Sequence, residues 1–156
     1  MDKNGQESLR VVARFRDGML VKGYLDCPSV NFESLFQASE FTPRESIGIQ
    51  PLESGNGVSV RMDDLKALFF VKSFEGNKEY PEVKFFDKTP PNRGLWVRVQ
   101  FFDNESIEGT VENSLRYIVE PAFFMKPPDP QSNNEILYVI KSSLINFRVM
   151  GVRPDY

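Results

Sequence analysis

The chain repeats itself. The segment from Val11 to Gly23 aligns with the segment from Val97 to Gly109, pairing Phe15 with Phe101, Asp17 with Asp103, Val21 with Ile107 and Gly23 with Gly109. Gly18 gives way to Asn104, and these are the two residue types that best tolerate a left-handed backbone, so the exchange keeps the turn chemistry. Each copy alternates apolar and polar residues on either side of an Asp-Gly or Asp-Asn pair, the pattern of strand, tight turn, strand. Asp17, Gly18, Gly23, Asp103, Asn104 and Gly109 are therefore read as structural turn residues. A duplication of this kind restricts the chain to architectures made of two similar units.

The remaining apolar stretches extend the strand reading. Val58 to Met62 and Leu65 to Val71 flank Asp63-Asp64, and Ile136 to Ile140 and Leu144 to Met150 flank Ser142-Ser143. These stretches correspond in character, but the sequence does not fix their register. No window carries a long 3.6-residue stripe, and the 11 prolines oppose long helices. The expected organisation is a disordered, polar lead-in over 1–8, a first unit over 9–77, a linker over 78–94 and a second unit over 95–152. Glu40 to Gly57, rich in Pro, Ser, Gly and Glu, reads as an extended surface loop. Phe85 and Phe86 give the linker something to pack with. Units of about 60–70 residues are marginal alone, so the two are expected to pack together or to oligomerise.

Two absences narrow the function. There is no histidine, which removes the commonest general base near neutral pH and the commonest metal ligand. The single cysteine, Cys27, cannot form an intrachain disulfide or a thiolate zinc site. Without histidine a nucleophile–base set can be assembled only from Lys and carboxylates, and no phosphate-cradling glycine loop or metal cluster is present, so an enzyme is not expected and no cofactor is implied. The charge balance, 19 basic against 22 acidic residues, lacks the basic excess of a general nucleic-acid binder. No apolar run approaches the roughly 20 residues of a membrane span, and 1–8 has no signal-peptide core, so a cytoplasmic location and no membrane insertion are expected.

The pattern apolar-x-apolar-x-Phe-x-Asp-Gly, with Gly23 five residues later, resembles the first signature of Sm-like barrels. Asp63-Asp64 and Ser142-Ser143 stand where that fold closes two apolar strands with a short turn. The resemblance implies an all-β fold of two tandem small Sm-like or SH3-like barrels related by the internal repeat. Sm proteins that read RNA carry an Arg-Gly or Lys-Gly step in the second signature, and that glycine is missing from both halves here. From Arg10 to Met150 the chain also resembles a group of uncharacterised bacterial proteins. The matching stretches are Val11 to Gly18, Lys22-Gly23, Asp64 to Gly76 and the segment Pro128 to Glu135 before an apolar strand.

Three groups of residues are candidates for function. Arg10, Arg14, Arg16 and Lys22 lie on the first hairpin and form a basic stripe for phosphate or an acidic partner, or else a solvated strand face. Asp129, Gln131, Ser132, Asn133 and Asn134 belong to a rigid polar loop, either a recognition loop or a turn between strands. Asn104-Glu-Ser106-Ile-Glu-Gly109 resembles a motif of PilZ receptors for cyclic di-GMP. The companion Arg-x-x-x-Arg spacing falls in the other copy, at Arg10 and Arg14, and the turn already accounts for Asn104 and Gly109. The leading reading is a non-catalytic binding or adaptor protein that presents strand edges and loops to protein partners, with homo-oligomer formation left open. The alternatives are a sensor of cyclic dinucleotides or other anionic ligands and an RNA-binding Sm-like protein, nucleic acid being the less expected partner.

Overall fold

The Asp-Gly and Asp-Asn pairs make the turns that the repeat demands. Gly18 and Asn104 take left-handed φ values of 93° and 72°. The Asp17 and Asp103 carboxylates accept the amides two residues on, Met19 at 2.9 Å and Glu105 at 3.2 Å, and so hold the loop in shape. The structure is a computed structural model, which describes residues 9–26, 43–76, 79–88, 90, 94–113 and 119–153. The lead-in over 1–8 and Cys27 lie outside the described residues.

The first half runs β1 (Arg10–Phe15), β2 (Leu20–Leu25), β3 (Ser46–Pro51), β4 (Val58–Arg61), a 3-10 turn over Met62–Asp64, and β5 (Leu65–Val71). The second half runs β6 (Gly94–Phe101), β7 (Ser106–Val111), β8 (Ala122–Met125), β9 (Asn134–Ile140), a 3-10 turn over Lys141–Ser143, and β10 (Leu144–Arg153). The fold is all-β. Glu40 to Gly57 is not one loop, because it contains β3. Ile47 and Ile49 supply the period-2 signal, and the Ser, Pro and Gly around them conceal it. Gly23 and Gly109 sit in β2 and β7 rather than at turns.

The pairing of the two halves agrees residue by residue. On one side of the first strand, Val12 faces Lys22 and Arg98 faces Glu108. On the other, Ala13 faces Leu68 and Val99 faces Phe147, and a bulge interrupts both ladders at the same step, before Phe15 and Phe101. Further out, Ile47 faces Val60 and Phe123 faces Val139. The two 3-10 turns are equivalent, with the Leu65 amide bonding back to the Met62 carbonyl and the Leu144 amide to the Lys141 carbonyl. Leu65 therefore corresponds to Leu144, the register that the sequence left open.

Among the described residues the strands form two open sheets and no closed barrel. One has seven strands in the order β4-β3-β2-β1-β5-β9-β8, and the other three in the order β10-β6-β7. Thr110 and Lys126 exchange amide bonds of 2.9 and 3.0 Å and stitch β7 to the end of β8. The two tandem Sm-like or SH3-like barrels expected from the sequence do not close within their own halves, and the reason lies at β5. Its outer edge, which closure would need, is taken by β9 of the other half.

This junction explains why β5, β8 and β9 are apolar nearly throughout: they are buried on both faces. Leu68, Phe70, Phe124, Ile136, Tyr138 and Ile140 face a core shared with Val11, Ala13, Ile47, Ile49 and Val60. The alternate residues Ala67, Phe123, Met125, Leu137 and Val139 face a second core with Leu95, Val97, Val99, Phe101 and Val111. Among the described residues no helix is long and apolar enough to cross a membrane.

Candidate binding surface

Across β4 to β1, the face of the seven-stranded sheet opposite the first core is not covered by the smaller sheet. Arg10 and Arg14 of β1 point to this side, as does Lys22 of β2, which pairs with Val12 between them. Arg16 follows at the turn. The Arg14 guanidinium lies 5.0 Å from the ring centroid of Phe69, and that of Arg16 lies 4.7 Å from Phe102. Arg16 also donates to the Ser142 carbonyl at 2.8 Å, and Lys22 donates to the Phe74 carbonyl at 3.0 Å. Tyr24 stacks edge-on against Phe74 at 5.5 Å. Among the described residues none of these four cations is ion-paired to a carboxylate. The structure thus brings all four basic candidates onto one surface and adds Phe69 and Phe102 to them. Phe69 comes from a strand 47 positions away from Lys22, so its place beside Arg14 depends on the β1–β5 register and could not be seen in the sequence.

The polar loop before β9 is spent differently. Asp129 is buried and accepts from the Tyr80 hydroxyl at 2.5 Å and from the amides of Gln131 and Val83 at 2.9 and 3.3 Å. The bond from Tyr80 is the main reason its carboxyl is held below the ordinary range, against the opposing effect of burial. The same bond raises the Tyr80 hydroxyl, with burial adding to it. Ser132 donates to Glu82 at 2.6 Å, and Asn134 reaches the same carboxylate at 3.3 Å. Asn133 accepts the Ser73 amide at 3.0 Å and donates to the Ser73 carbonyl at 2.9 Å. Only Gln131 keeps its side chain exposed. The loop clamps the chain after β5 and the linker to the second half.

Glu108, in the position that corresponds to Lys22, continues this clamp and was not singled out in the sequence. It is 1% exposed and accepts from Arg98 at 2.6 and 2.9 Å, from the Trp96 indole at 3.1 Å and from the Phe86 amide at 2.9 Å. Burial pushes this carboxyl up, and the Phe86 amide, Arg98 and Trp96 together outweigh it, leaving it below its ordinary value. Lys66 is buried in turn and bonds to Asp103 at 2.8 Å and to Glu105 at 2.5 Å. Lys84 binds the other oxygen of Glu105 at 2.8 Å. These carboxylates are saturated by structural partners. Among the described residues no group of three or more Cys, Asp or Glu is placed to hold a metal ion.

A family model described as a family of unknown function, DUF6982, matches residues 7–151, almost the whole chain. The chain belongs to the DUF6982 family. Membership in a family of unknown function agrees with the resemblance read from the sequence. No curated protein and no solved structure matches the chain.

Proposed function

We propose that this DUF6982 chain is a non-catalytic, cytoplasmic binding protein made of two tandem Sm-like units, and that it holds an acidic segment of a protein partner on the β1–β2 face. The repeated pairing registers support the two-unit reading. The absence of histidine supports the non-catalytic one. The observation that carries the binding surface is the set of cations, Arg10, Arg14, Arg16 and Lys22, which have no carboxylate partner among the described residues and lie on an exposed sheet face. A row of such cations attracts a short acidic segment, and the Phe69 and Phe102 edges offer apolar contact between the charges. The chain as a whole is anionic, at net −3, which opposes a long polyanion more than a short acidic peptide.

Titration with a labelled Glu/Phe-rich peptide tests this. Binding is expected near physiological salt, weakened about tenfold or more in the Arg10→Glu, Arg14→Glu double variant, about 1.4 kcal/mol per factor of ten. No peptide binding, or binding indifferent to that variant, overturns the surface. If a cyclic dinucleotide or a single-stranded oligonucleotide binds there instead, the acidic-peptide assignment fails while the anion surface stands.

A further inference from the structure

Among the described residues the repeated register leaves two strand edges unmatched, those of β4 and β10, and the edge of β10 is the apolar one. β10 corresponds to β5, with Ala67, Leu68, Phe69 and Phe70 standing where Asn146, Phe147, Arg148 and Val149 stand. On its outer side β5 pairs with β9, from Ala67 opposite Val139 to Phe70 opposite Ile136. Among the described residues no strand pairs with the same side of β10, which ends the three-stranded sheet. Ile145 and Val149 are 58% and 45% exposed, whereas the residues that hold their places in β5, Lys66 and Phe70, are 7% and 0% exposed. Beside this edge lies a groove of about 390 Å³ lined by Phe123, Lys141, Leu144, Ile145, Asn146 and Phe147. A ten-residue edge strand that exposes Ile145, Val149 and Val152 is a template for strand addition.

We propose that β10 pairs antiparallel with β10 of a second copy of this chain, about a twofold axis at Phe147. That register sets Ile145 opposite Val149 of the second copy and Asn146 opposite Arg148. Apolar meets apolar, an amide meets a cation, and the two Arg148 side chains do not face each other. The regular stretch runs from Asn146 to Val149, bounded by a bulge at Ile145 and by the register shift between Val149 and Gly151, so Ile145 meets Val149 of the second copy at the edge of the ladder. The alternative occupant is β4 of another copy, which would repeat the β5–β9 junction head to tail. Its chemistry does not fit. Where β8 and β9, lying beside β5 in the sheet, turn Ala122, Phe124, Tyr138 and Ile140 into the first core, the corresponding residues of β3 and β4 are Ser46, Gly48, Ser59 and Arg61. The isologous pairing forms a closed dimer and buries the apolar edge, while the head-to-tail one leaves polar groups against it.

Light scattering on the full chain, from about 10 to about 300 μM, tests the proposal. Twice the mass of one chain is expected, falling to one in Ile145→Glu and Val149→Glu, with unchanged circular dichroism because both positions are exposed. Ser59→Glu on β4 should leave the dimer intact. Slower hydrogen exchange across Ile145 to Val149 at high concentration is expected in the unaltered chain and absent in Val149→Glu. A single-chain mass throughout overturns the proposal, as does a dimer that survives both β10 variants or one that Ser59→Glu disrupts. The cationic β1–β2 face plays no part in these readouts, so its success or failure is separate.

Discussion

Gly23 and Gly109 occupy one position in the two halves and answer to one constraint. A Cβ on Gly23 would lie 2.2 Å from the Gln50 carbonyl oxygen, and one on Gly109 would lie 2.4 Å from Met125 Cγ and 2.6 Å from the Lys126 carbonyl oxygen. The next strand crosses so closely that only hydrogen fits. At Gly23 the obstacle is backbone and cannot rotate away. Gly23→Ala should therefore cost about 2 kcal/mol or more, the upper part of the range for overpacking. Gly55→Ala, with nothing within 4 Å, should change stability by a few tenths of a kcal/mol. Urea melts of the two variants check this, and equal midpoints would refute the crowding argument. The same position-by-position comparison separates structural from exposed charge. Lys22 and Glu108 are equivalent in the fold, yet Glu108 is buried among four donated bonds while Lys22 stays exposed on its strand.

The stretch between β5 and β6 is the element that departs most from its expected character. Its composition is that of a linker, but it is fastened at several points. Tyr80 and Val83 bond to Asp129, Glu82 to Ser132 and Asn134, and Phe86 to Glu108. Phe85 and Phe86 lie against Arg98 and Trp96, at 5.2 and 6.1 Å. This fastening, together with the Asp103–Lys66 pair beside it, titrates at both ends of the pH scale. Asp103, Glu105, Glu108 and Asp129 are held below their ordinary values, so their contribution to stability is full above about pH 5 and declines as pH falls below about 4. Tyr80 is raised, so its contribution is full below about pH 10 and declines above it. Chemical denaturation across pH should show a plateau between these limits. Tyr80→Phe should lower the plateau and remove the part of the alkaline decline that Tyr80 causes. An alkaline limb unchanged in that variant would show that the Tyr80–Asp129 bond contributes nothing to it.

At the scale of the molecule, the β5–β9 ladder makes one sheet out of two halves. Ile136, Tyr138, Ile140 and Phe124 complete the first core, and Ala67 contributes to the second. Neither half keeps a finished core without the other. The chain should unfold in a single transition, with calorimetric and van't Hoff enthalpies in agreement. Segments 9–77 and 94–153, expressed apart, should lack cooperative unfolding, because each would expose a strand now buried on both faces. Two resolved transitions, or a cooperative melt from either segment alone, would refute this coupling.

The sequence by itself determined the local chemistry. The duplication, the two hairpin turns and most of the strands were legible because they depend on neighbours within a few positions: Asp17 on Met19, Gly18 on its own φ, Val11 on Ala13. The four basic candidates were legible too, since three of them alternate with apolar residues along β1 and its turn. β3 was hidden by the Gly, Pro and Ser around Ile47 and Ile49. β8 is four buried residues with no alternation to reveal it. Only the tertiary structure decided which edges meet. Whether β5 closes on its own half or pairs with β9 depends on residues about 70 positions apart, as with Phe69 and Leu137. Period-2 patterning specifies which face a residue takes but not which strand lies beside it. That long-range choice joined the two repeated halves through one shared sheet. It also enlisted the polar loop before β9 as a clamp, and it left the cations of β1 and the edge of β10 facing outward.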